Sequence, residues 1–170
     1  MIYGLSYLGV IHTLISLVAV FAALLAFVRD KGIVPDSTLG RTYIWTTVFT
    51  CLTGFGIFQH GGFGKPHVLG IITLLVLLLA WWADQRKFGS KSAAVSTVSY
   101  SLTFLFHMIP AVTESTTRLP LGAPLLANAE APQLKTITGV LFLLFLIGVT
   151  LQLRRLKKHA AVTGAASMPA

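Results

Sequence analysis

A chain of 170 residues that is 55% hydrophobic and only 11% charged, with mean hydropathy +0.80, is not a soluble domain, which would carry roughly 25% charged residues. The net charge of +8 invites a nucleic-acid reading, but its placement along the chain is that of a membrane protein and leaves nucleic-acid binding without support. The single cysteine, Cys51, excludes an intramolecular disulfide and any multi-cysteine metal or iron–sulfur site.

The first apolar run, about Leu5 to Val28, has no basic segment before it and is too long for a cleavable signal. It reads as a first membrane helix that stays in the protein and ends at Arg29-Asp30-Lys31. A short connection with Gly32, Pro35, Asp36 and Ser37 leads to a second helix, about Thr42 to Phe58. Gln59-His60-Gly61-Gly62-Phe63-Gly64-Lys65-Pro66-His67 follows. Its glycines allow a reversal and Pro66 suits a first helical turn, so it reads as a tight helical hairpin flanked by histidines. The third helix, about Pro66 to Ala83, is mostly Leu, Ile and Val and ends on Trp81 and Trp82 as interfacial anchors. After a polar turn, a fourth helix spans about Ser92 to Val112. Pro120, Pro124 and Pro132 argue for a loop from Thr113 to Lys135. A fifth helix, about Thr136 to Leu153, precedes Arg154-Arg155-Leu156-Lys157-Lys158.

The pattern predicts an all-α fold, a polytopic bundle of five transmembrane helices. Residues 1–158 form one transmembrane domain, and residues 159–170 a disordered cytoplasmic tail. Ten of the thirteen Lys and Arg residues fall on one side, in the first connection (Arg29, Lys31, Arg41), the third (Arg86, Lys87, Lys91) and the C-terminal end. Lys65, Arg118 and Lys135 fall on the other. The positive-inside rule then sets the N-terminus outside and the C-terminus in the cytoplasm.

Charges inside a membrane are expensive and mark function. All five acidic residues fall in loops or at helix ends, which weakens an ion-coupled transporter. The ionisable groups clearly within spans, apart from Cys51 and tyrosines, are His12 and His107. With 1.5 Å per helical residue, His12 lies about 10 Å and His107 about 7 Å below the outer ends of their spans. His60 and His67 are at the outer surface. Ser96, Tyr100, Thr103 and His107 share one stripe of the fourth helix. Gly9, His12 and Ser16 form a stripe on the first, and Tyr43, Thr46 or Thr47, Thr50 and Gly54 one on the second. These stripes predict that helices 1, 2 and 4 pack together, with helices 3 and 5 peripheral.

Two histidines from different membrane helices can hold b-type haem, and a cluster such as His12, His60, His67 and His107 could bind copper or zinc. Equally, small and polar stripes are the ordinary packing surface of membrane helices, with His hydrogen-bonding across the bundle. Glu114 and Arg118 stand at i, i+4 and can pair as a helix-end cap if the fourth helix reaches them. No nucleophile–base or HExxH signature supports a hydrolase.

Gly40-Arg41-Thr42-Tyr43, Gly61-Gly62-Phe63-Gly64-x-x-His67, and Ser99-Tyr100-Ser101 leading to Thr117-Arg118-Leu119-Pro120 resemble an uncharacterised family of bacterial multi-pass membrane proteins. That family carries a Gly-Arg-x-Tyr helix start and a Gly-Gly-Phe-Gly-Pro-x-His hairpin. The likeness covers about Leu39 to Pro120. Many members have His-Arg ahead of the Gly-Arg segment, where this chain has Thr38-Leu39. The resemblance implies a bacterial plasma (inner) membrane protein, singles out Arg41, Tyr43, Gly62, Gly64 and His67, and implies no reaction. Two functions are expected from the whole. One is a non-catalytic membrane component, an accessory subunit or assembly factor in the lipid bilayer. The other is a redox protein holding haem b or another metal through His12 and His107 and exchanging electrons with a quinone or a membrane-protein partner.

Overall fold

A computed structural model of the chain describes residues 6–58 and 62–166, with side chains to 162. Among them are five α-helices and no strand: α1 Tyr7–Arg29, α2 Thr38–Gly54, α3 Lys65–Asp84, α4 Ser92–Arg118 and α5 Pro132–Ala166. Four of these, α1, α3, α4 and α5, are long and apolar enough to cross a membrane. The fifth, α2, has 17 residues, about 26 Å of helix against a hydrocarbon core of ~30 Å.

Local chemistry sets the ends. The Ser6 hydroxyl accepts from the Gly9 N–H at 3.1 Å and starts α1. Ser37 starts α2 in the same way, accepting from the Gly40 N–H at 3.0 Å. A Cβ on Gly40 would lie 1.8 Å from the Val34 carbonyl oxygen, so only glycine lets the preceding loop fold over this first turn. That cap moves the start of α2 four residues ahead of the expected Thr42. Its end at Gly54 also comes earlier than the expected Phe58, since Gly54 and Gly56 weaken the last turn.

The fourth helix does not stop at Val112. It runs through Pro110 to Arg118, although Pro110 has no N–H to give the Phe106 carbonyl. Beyond it, Thr113, Thr116 and Thr117 each hydrogen-bond a carbonyl four residues back, and Glu114 pairs with Arg118. The helical stretch 113–118 replaces part of the expected loop. Similarly, α5 begins at Pro132 rather than Thr136 and continues past Leu153 to Ala166, so the expected disordered tail from His159 is helical as far as Ala166.

The helices form a ring in which α1 packs on α2, α2 on α3 and α3 on α4, and α4 closes against α1; α5 leans on α4 from outside. This corrects the expectation that the third helix is peripheral. Its Thr73, Leu77, Ala80 and Ala83 are buried at three- and four-residue spacing, a small-residue face hidden among leucines in the sequence. The fifth helix is peripheral, with 6% of its apolar window buried against 39% for α4.

The contacts between helices are made by small residues. Ala19, Ala22, Ala23 and Ala26 line the buried face of α1 and let the backbones approach closely, the usual membrane solution where lipid removes any hydrophobic drive between helices. Large apolar side chains face out, among them Leu14, Phe21, Leu25, Leu75 and Leu143. Among the described residues, the largest side chains shut off almost completely are Tyr43, Tyr100, Thr47 and Thr103, and every one carries a hydroxyl. The bundle has its polar groups inside and its hydrocarbon outside.

A candidate site in the polar column of the bundle

These hydroxyls belong to a column that runs along the inner faces of α2, α3 and α4. At one end Asp84, the last residue of α3, accepts hydrogen bonds from Ser96 and, at 2.6 Å, from the Tyr100 hydroxyl on α4. A carboxylate at a helix C-terminus meets the negative end of the dipole, and the two hydroxyl donors offset that. Asp84 stands at a helix end, as expected of the acidic residues, but it is half-buried and turned onto α4.

One turn further along α4, the Thr103 hydroxyl donates to the Tyr100 carbonyl at 2.8 Å. Its only proton is thereby used, so the Tyr43 hydroxyl, 2.8 Å away on α2, donates to it. Although α2 and α4 do not approach each other's backbones, Tyr43 bridges them. Its ring also lies 6.0 Å from that of His107, one turn on from Thr103. On α2 the corresponding residue one turn on from Tyr43 is Thr47.

Nearer the far end of α2, the Nδ1 of His12 lies 3.2 Å from the Thr53 hydroxyl. Thr53 donates to the Phe49 carbonyl at 2.8 Å, so Nδ1 of His12 carries the proton and its Nε2 the lone pair. The imidazole rests on Gly54, where a Cβ would meet Cε1 at 3.2 Å. His12 and His107 stand on α1 and α4, which are in contact. The structure therefore draws His12, His107, Tyr43 and Tyr100 into one column and adds Asp84, Thr47 and Thr53, which the sequence reading did not single out.

The remaining predicted residues lie elsewhere. His67 is buried at the start of α3, where its Nδ1 accepts the Gly64 N–H at 3.2 Å and its ring lies between Phe58 and Phe63, 5.1 Å from each. That is a helix-capping role for Nδ1, while Nε2 is buried without a hydrogen-bond partner. Gly62 has φ 155°, a conformation suited to glycine. His60 lies outside the described residues. Arg41 is exposed on the first turn of α2, and Glu114 and Arg118 form their pair at the end of α4.

On the α2 side of His107, the space a haem would need is taken by the Tyr43 ring, 6.0 Å from the imidazole. The alanine face of α1 and the contact of Phe27 with Phe104, centroids 5.1 Å apart, bring α1 against α4. The two best-formed hollows are superficial, one on α5 and one in the loop before it. Among the described residues, no three of His, Cys, Asp and Glu converge where a metal ion could sit.

Comparison with models of known protein families, with curated proteins and with solved structures gave no match to this chain.

Proposed function

We propose that this chain is a five-span integral membrane protein, N-terminus out and C-terminus in, acting as a non-catalytic component whose polar column serves packing and specificity of the bundle. The observation that carries this reading is the use the interior polar groups make of one another. Tyr43 pairs with Thr103, Tyr100 and Ser96 with Asp84, and His12 with Thr53. In hydrocarbon an unpaired polar group is unfavourable, so such pairs fix which helix faces meet. Ten Lys and Arg residues gathered at one end of the bundle support the orientation. The bacterial plasma membrane as its location, and any quinone or membrane-protein partner, rest on the sequence resemblance and composition alone.

Two experiments test the proposal. Absorption spectra of purified protein expressed with ample haem, air-oxidised and then dithionite-reduced, are expected to be featureless; a Soret band that shifts on reduction would restore the redox reading through His12 and His107. In a Cys51→Ala background, Ser90→Cys is expected to react with an impermeant thiol reagent only from the cytoplasmic side, and Leu121→Cys only from outside. Labelling of both from one side would overturn the five-span topology.

A further inference from the structure

The fifth helix meets the bundle along a narrow line, and among its described residues only Leu134 and Val149 are buried. Toward its basic end, Gln152 accepts a hydrogen bond from Ser101 of α4 at 3.1 Å. Gly32 of the first connection lies against the same side chain. Gln152 therefore faces the bundle. With 3.6 residues per turn, Arg154 stands about 200° further round the helix and points away from it. It is exposed.

Ile147, Leu151, Arg154 and Lys158 follow one another at spacings of 4, 3 and 4, a single stripe on that outward face. Long side chains on a helix lean back toward its N-terminus, so the Arg154 guanidinium comes over Thr150 and Leu151. A shallow hollow there is lined by Leu146, Ile147, Thr150, Leu151 and Arg154. It is a wall of hydrocarbon with a guanidinium at its polar end. Since Arg154 directly follows the apolar run of α5, that end lies at the level of the lipid phosphates.

The charge at this level has one sign. Arg154, Arg155, Lys157 and Lys158 are close neighbours in sequence, and α5 contains no Asp or Glu. None of the ion pairs among the described residues involves them, and Arg155 turns to His159 instead. The positive-inside rule accounts for the number of cations here. It does not account for a guanidinium closing an apolar hollow on the side of α5 turned away from the bundle.

We propose that this face of α5 binds an anionic phospholipid of the surrounding bilayer. The phosphate sits on Arg154, whose planar fork suits two of its oxygens, and on Lys158 one turn further out. One acyl chain lies in the hollow over Ile147 and Leu151. A zwitterionic headgroup is disfavoured, because its own ammonium meets Lys157 and Lys158 with no carboxylate nearby on the helix. Each such cation favours an anionic headgroup by about fivefold. The proposal rests on the membrane-spanning reading of the chain and is independent of whether the protein is catalytic.

Native mass spectrometry of the full chain in mild detergent tests the site, with phosphatidylglycerol and phosphatidylcholine of identical acyl chains as probes. The first phosphatidylglycerol is expected to bind at a several-fold lower lipid concentration than the first phosphatidylcholine. Arg154→Gln combined with Lys158→Gln is expected to abolish that preference. Lys65→Gln combined with Lys135→Gln removes the same charge at the opposite end and is expected to keep it. Equal binding of the two lipids by the wild type would overturn the proposal. So would a preference that survives the first pair of substitutions, or one that both pairs reduce alike. Alkaline carbonate extraction separates this failure from a deeper one. Protein released from membranes would overturn the membrane-spanning reading and the lipid site together, whereas retained protein without lipid preference would overturn the site alone.

Discussion

The Tyr43 hydroxyl donates to Thr103 across the middle of the bundle, 2.8 Å long, joining two helices whose backbones do not meet. Tyr43 and Thr103 are both 0% accessible, so neither group has water to fall back on. Tyr43→Phe keeps the ring and removes the donor, and is expected to cost about 1 kcal/mol. Thr103→Val leaves the Tyr43 proton unpaired and deprives the Tyr100 carbonyl of its extra donor, at about 2–3 kcal/mol. A double-mutant cycle from melting curves in detergent checks both; the pair is expected to couple, and strict additivity would show that the bond contributes nothing.

At Asp84 the expected order is set by how many donors are stranded. Ser96→Ala removes one donor and costs about 1 kcal/mol, while Asp84→Leu strands the Ser96 and Tyr100 hydroxyls together and costs about 2–4 kcal/mol. Chemical denaturation of detergent-solubilised protein would read the difference. Equal effects would mean that Tyr100 finds another acceptor.

His67 offers a cap that a second residue type can supply. His67→Ala leaves the Gly64 N–H without its acceptor and is expected to lower stability by about 1 kcal/mol and to speed amide exchange over the first turn of α3. His67→Gln, which presents an acceptor at the same N3 position, restores much of the protection. Bound metal lost in His67→Ala would contradict the capping role.

Gly40 is expected to tolerate nothing larger. A methyl group there would fall 1.8 Å from the Val34 oxygen, a backbone atom that cannot swing aside, so Gly40→Ala should displace the loop or the helix start. The fraction of monodisperse protein on size exclusion is expected to drop severely, a penalty on the order of 3 kcal/mol or more. Gly139, with nothing within 4 Å, provides the contrast, and Gly139→Ala is expected to be neutral or mildly stabilising.

The Arg29 guanidinium, 2.7 Å from Asp30, holds the Asp30 carboxyl below its usual range. A carboxyl with a lowered folded pKa favours the fold at neutral pH, and that contribution disappears as pH falls through the folded value. The pair is at the surface, so the effect is small. Asp30→Asn is expected to flatten the decline in melting temperature below about pH 4, visible in a pH series, while changing little at neutral pH.

Much of the helical layout can be read from the chain because an apolar run bounded by charges permits little else; α1 and α3 begin and end within two residues of the predicted positions. The boundaries that moved depend on single contacts. Ser37 and Gly40 start α2 early through a close approach that no periodicity reveals, and threonines that bond carbonyls four residues back carry α4 beyond Pro110. The stripe Ser96, Tyr100, Thr103 and His107 is buried as its spacing predicts. Asp84 escaped notice because a carboxylate beside Gln85, Arg86 and Lys87 looks solvated in one dimension. Only the packing of α3 on α4 turns it inward, and the same packing buries the small-residue face of α3 that its leucines hide in the sequence.

The lengths of α2 and α5 have a consequence for the surrounding lipid. On one flank α2 falls a few ångström short of the hydrocarbon thickness, while across α4 the 35-residue α5 spans about 52 Å of helix and overshoots it. With α2 crossing the membrane as proposed, the bilayer beside it would thin by some fraction of a kcal/mol per ångström of mismatch, whereas the overhang of α5 carries Arg154, Arg155, Lys157 and Lys158 and lies beyond the hydrocarbon. Such thinning would bring headgroups and water down toward Thr53 and His12, shortening the dry distance through the bundle on that side.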